Sequence, residues 1–125
     1  MRLTTPFDPI EIGETDNFAF DFTLDVAAAT IIASSWTCAL ARFQDATDPL
    51  PQSRILSVSS PTAIAVRSPI DGSLQTRSGF FSVALIGGMP ASAAGGTYVL
   101  EATASLSDGR ILKLNSTVLC KPTGS

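Results

Sequence analysis

The sequence contains no histidine. That absence removes the serine–histidine and cysteine–histidine nucleophile systems, the commonest general base and the usual zinc or copper ligand. Cysteine occurs only as Cys38 and Cys120, too few for a structural zinc site of the Cys/His kind. Charge is scarce too: 15% of the 125 residues are charged against 45% hydrophobic, with a net charge of −3. The eight lysines and arginines stand singly, so no basic stripe neutralises phosphates and nucleic acid is not an expected partner. No apolar run approaches membrane-spanning length, and Met1-Arg2-Leu3-Thr4-Thr5-Pro6 lacks the apolar core of a signal peptide. The expectation is a protein without a membrane partner, made and kept soluble in a cytoplasm unless cell lysis releases it.

What charge there is does not assemble into chemistry. Asp-x-Asp-x-Asp-Gly calcium loops are absent, and Phe7-Asp8, Asp16-Asn17 and Asp45-Ala46-Thr47-Asp48 read as solvated turns. Asp8, Glu11, Glu14, Asp16 and Asp21 crowd the first strands but fall on turns or outward faces, a poor basis for a glycosidase pair. Gly87-Gly88 and Gly95-Gly96 flank a loop that no Gly-Lys-Ser/Thr phosphate cradle follows. The expectation is a non-enzymatic protein without cofactor or metal. Its surface is left to Ser, Thr, Gly and Ala, weakly protected against association. Such a surface suits burial in an assembly, and it is equally common on free β-domains.

Alternation with period two dominates what remains. Phe18, Phe20, Phe22 and Leu24 share one face of a first strand, with Asp21 and Thr23 opposite. Trp36, Cys38 and Leu40 share a face of the next. Tyr98, Leu100, Ala102, Ala104 and Leu106 alternate inward, and Ser107-Asp108-Gly109-Arg110 is a tight hairpin leading to a return strand with Leu112, Leu114, Val118 and Cys120 on one face. Residues 10–12, 54–58, 62–66 and 79–86 add short strands, and Ser68-Pro69-Ile70-Asp71-Gly72-Ser73 is a turn. Residues 27–30 offer at most one helical turn. About seven or eight short strands without a convincing helix predict an all-β, antiparallel two-sheet sandwich. Residues 1–9 read as an N-terminal arm, 10–120 as one domain and 121–125 as a frayed tail.

The core is expected around Phe20, Phe22, Trp36, Cys38, Tyr98 and Cys120. Both cysteines share the parity of an apolar face and read as small buried hydrophobes. A disulfide between them requires close α-carbons, and reduced thiols are the expected state in a cytoplasm.

The strand Phe18-Ala19-Phe20-Asp21-Phe22-Thr23 is followed by Ala29-Thr30-Ile31-Ile32-Ala33-Ser34-Ser35-Trp36-Thr37. Later, Gly95-Gly96-Thr97-Tyr98 leads through Ser107-Asp108-Gly109-Arg110 into the last strand. Together these resemble the small immunoglobulin-like proteins of tailed-phage structural cassettes, the fiber–tail adaptors and the neck or tail accessory proteins. The resemblance covers residues 16–40 and 79–120; residues 41–78 depart from it. It implies an immunoglobulin-like β-sandwich and a virion structural protein, assembled in the host cytoplasm in several symmetric copies. Its partners would be other virion proteins: tail, neck, portal-proximal or fiber subunits. Candidate contacts are Phe7 on the N-terminal arm, Pro49, Leu50 and Pro51 in a rigid exposed connection, and Met89 and Pro90 in a flexible loop. A capsid decoration protein and a carbohydrate-binding or adhesive immunoglobulin-like module are the alternatives. The latter is disfavoured because the one tryptophan and the one tyrosine fall on core faces.

Overall fold

Alternating apolar residues give each strand one face to bury, and the chain stacks two such faces. The computed structural model describes residues 2–3, 7, 9–26, 29–41, 46–68 and 70–122. Ten strands run through them: β1 (Arg2–Leu3), β2 (Ile10–Glu11), β3 (Thr15–Asp21), β4 (Ile31–Leu40), β5 (Ile55–Ser59), β6 (Ala63–Arg67), β7 (Leu74–Ser78), β8 (Phe81–Gly87), β9 (Thr97–Leu106) and β10 (Ile111–Lys121). One sheet has the order β1-β10-β9-β4, with β2 also on β10; the second is β3-β8-β5; β6 and β7 form a separate two-stranded ribbon. The architecture is the all-β sandwich expected.

Three details differ from the sequence reading. The first sheet is mixed, because β1 and β2 run parallel to β10. The described residues of the arm therefore lie along a sheet edge: Phe7 N–H donates to Thr117 O at 2.9 Å and Ile12 N–H to Lys121 O at 3.0 Å. β10 continues through Lys121, one residue into the expected tail, of which residues 123–125 lie outside the described residues. The second difference is the first strand, which stops at Asp21 instead of continuing through Leu24. The Asp21 carboxylate accepts both the backbone N–H (2.9 Å) and the hydroxyl of Thr23, a local turn that competes with the ladder. One helical turn, α1 (Thr23–Val26), follows there; of residues 27–30, where a turn was expected, 27 and 28 lie outside the described residues. The third is β7, unrecognised because Leu74-Gln75-Thr76-Arg77-Ser78 has no apolar alternation.

The core lies between the sheets. Phe18 and Phe20 of β3, Ala84 and Ile86 of β8, Trp36 and Cys38 of β4, and Tyr98, Leu100, Ala102 and Ala104 of β9 meet there, with Phe22 just beyond β3. Each large apolar side chain so buried contributes on the order of 1.5–3 kcal/mol. Trp36 stacks obliquely on Phe20, ring centroids 4.9 Å apart, and its indole N–H donates to Ser82 Oγ at 2.7 Å. That bond crosses from one sheet to the other and satisfies two buried polar groups at once. The β9–β10 connection is the Asp-Gly hairpin the sequence predicts, with Gly109 at φ 89°.

Candidate docking surfaces

The rarest residues go to the core. Trp36, Cys38, Tyr98, Phe20, Phe22 and Cys120 are all buried, and both cysteines are free thiols. Burial, with the nearby negative charge of Asp48, pushes the Cys38 thiol up to about 12, against a partial offset from Arg54. Burial and Asp48 raise Cys120 as well. Thiols held this far from ionisation are poor nucleophiles. Among the described residues, no group of three or more Cys, Asp and Glu side chains is placed to hold a metal ion.

The clearest correction concerns Asp48, expected in a solvated turn. Its side chain has 0% exposure and is ion-paired with Arg54. Arg54 Nε reaches Oδ2 and Nη2 reaches Oδ1, each at 2.8 Å, in the two-pronged geometry that favours guanidinium. Tyr98 O–H donates to Oδ2 at 2.6 Å, and Leu50 N–H to Oδ1 at 3.0 Å. The Arg54 hydrogen bonds above all, with those of Tyr98 and Leu50, hold the Asp48 carboxyl at about 2. Burial and the adjacent carboxylate push the Tyr98 phenol well above its ordinary range. Arg54 Nη1 donates onward to Gly88 O at 2.9 Å, so one buried carboxylate ties the β4–β5 connection to β9 and to the turn after β8.

This clamp reorders the candidate contacts. Leu50, 66% exposed, and Pro49 face solvent, and Pro51 is half-buried at the start of a 3-10 turn, Pro51–Arg54. Met89 is a correction: it is 2% exposed and belongs to the core, because its loop is pinned rather than free. Gly13 N–H donates to Met89 O, Gly95 N–H to Cys120 O, and Cys120 N–H to Gly96 O. Pro90 is half-buried as the residue that opens the short 3-10 turn Ala91–Ala93. Phe7 keeps part of its surface open. It is half-buried, its ring edge-on to Phe18 at 5.0 Å and to Phe20 at 5.2 Å.

Among the described residues, the most exposed large apolar side chain lies where the sequence marked only a turn. β6 and β7 pair with each other alone, in register from Ala63–Ser78 to Arg67–Leu74, and among the described residues neither contributes to the core. At the tip, Ser68 N–H donates to Ser73 O (2.8 Å) and Gly72 N–H to Ser68 O (3.0 Å), while the Asp71 carboxylate accepts Ser73 N–H (3.0 Å) and O–H (2.7 Å). This hydrogen-bonded turn carries Ile70 at 93% exposure, with Leu74 at 67% on the descending strand. The available signal was an isoleucine in a turn otherwise built from Ser, Pro, Asp and Gly. A groove beside β3, lined by residues including Phe7, Ile10 and Phe18, is the second surface. Comparison with protein-family models, curated proteins and solved structures gives no match.

Proposed function

We propose that this chain is a non-enzymatic, immunoglobulin-like structural module of a tailed-phage particle. It docks in several symmetric copies on the tail, neck or fiber base. The observation that carries the reading is the β6–β7 ribbon, which projects from the sandwich and offers Ile70 and Leu74 to solvent. Exposed apolar side chains on a ribbon that adds nothing to the described core are what a protein contact would use.

The strand order supports the immunoglobulin-like part. β4-β9-β10 facing β3-β8-β5 has the order of the two immunoglobulin sheets, with a buried tryptophan on the strand equivalent to β4 and a tyrosine near the start of the strand equivalent to β9. The cysteines stand on β4 and β10, not on the β3 and β9 positions of the antibody disulfide. The β6–β7 ribbon is an addition within residues 41–78, the part that departs from the phage proteins the chain resembles.

Mass spectrometry of purified particles from the strain carrying the gene tests the reading. The chain is expected at fixed stoichiometry, and its absence from particles overturns the proposal. Ile70→Asp is expected to leave stability within about 0.5 kcal/mol, as for a surface substitution, while the variant is no longer incorporated.

A further inference from the structure

The sandwich has several open edges, and they are treated differently. On β4, the outward backbone groups of Trp36 and Cys38 are occupied by the Gln52 amide, which accepts Cys38 N–H at 3.0 Å and donates to Trp36 O at 2.9 Å. β5 is irregular between Ile55 and Ser57. β3 keeps unbroken register with β8 from Thr15 to Asp21, and no described strand pairs with its other side. The direction of its backbone groups follows from the bonds at its two ends. Phe22 N–H donates to Phe80 O at 2.8 Å and Gly88 N–H to Glu14 O at 3.2 Å, so even-numbered residues bond towards β8 and odd-numbered ones face outward. Asn17 N–H is taken by the neighbouring Asp16 carboxylate at 2.8 Å. The N–H and C=O of Ala19 have no partner among the described residues.

Along this edge runs a groove of about 160 Å³, bordered by Phe7, Pro9, Ile10 and Phe18 on its apolar side and by Asp16. The volume is close to that of a cavity that accepts a benzene-sized group, room for an aliphatic side chain. Glu14, just before the strand, and Asp16 and Asp21 on it are all exposed, and among the described residues no lysine or arginine lines the groove.

We propose that β3 accepts an extended, basic segment of a partner protein as an added strand. The partner's backbone would pair with Ala19, its apolar side chains would enter the groove on one side, and its lysines or arginines would meet Asp16 and its neighbours. A second copy of this chain is disfavoured as occupant, because pairing β3 with itself sets like carboxylates against each other. The inference is independent of the virion reading.

The probe is acetyl-Lys-Val-Thr-Val-Lys-Val-Thr-Val-Lys-amide. Two controls accompany it, one with glutamate for lysine and one N-methylated at its valines. Amide exchange followed by NMR is expected to slow by about tenfold or more at Ala19 with the lysine peptide and to stay unchanged with both controls. Unchanged exchange at Ala19 under millimolar lysine peptide overturns the proposal. Equal binding of the N-methylated peptide also overturns it, since charge attraction alone then suffices. Ala19→Pro removes the outward N–H and is expected to abolish binding while the circular dichroism of the fold persists. If that variant does not fold, Asp16→Lys, an exposed substitution, is expected to weaken binding by about tenfold, and undiminished binding overturns the proposal.

Discussion

Asp48 is where a single residue carries the most consequence. Its native carboxyl sits at about 2, below the 3.8 of an ordinary aspartate, so its pairing stabilises the fold fully above about pH 5 and is lost as pH falls towards 2. Urea denaturation between those limits should show the wild type losing about 1–2 kcal/mol that Asp48→Asn does not lose. Equal slopes for the two proteins would remove Asp48 from acid unfolding. None of this was legible in Asp45-Ala46-Thr47-Asp48-Pro49, which has the composition of a solvated turn. Its phenol partner, Tyr98, is separated from it by fifty positions in the chain. Trp36, Cys38 and Tyr98 were legible because period-two parity needs only neighbours. Met89 was misplaced for the opposite reason: its burial depends on elements far away in sequence.

Among the elements, the β6–β7 ribbon stands apart. Gly79 N–H donates to Thr62 O at 3.0 Å, so the two ends of the ribbon are already side by side. Replacing residues 63–78 with a short Gly-Ser link should therefore cost less than about 1 kcal/mol in chemical denaturation, since none of its described side chains belongs to the core and a shorter loop is cheaper to close. A larger loss would mean that the ribbon braces the sandwich. Its strands were only half legible: β6 has alternation, whereas β7 buries neither face and so leaves no pattern. The parallel placement of β1 and β2 was not legible at all, because two-residue strands have no period.

The molecule as a whole keeps both thiols out of reach, Cys38 on β4 and Cys120 on β10. A thiol reagent should find neither in the native state and two once the protein is denatured. In the native protein both should react at one common rate, that of global opening. Faster reaction at Cys120 would show β10 opening separately. The all-β sandwich itself was legible from turn spacing and alternation, because burying one face of each strand leaves few architectures.

The pairing of β1 and β2 with β10 also bears on synthesis. β1 and β2 leave the ribosome well before β10, the strand they pair with. A nascent chain can form β3, β8 and β5 early, but one side of its other sheet stays open until β10 emerges. For that interval an apolar edge is exposed to chaperones and to neighbouring nascent chains, and translation sets how long it lasts.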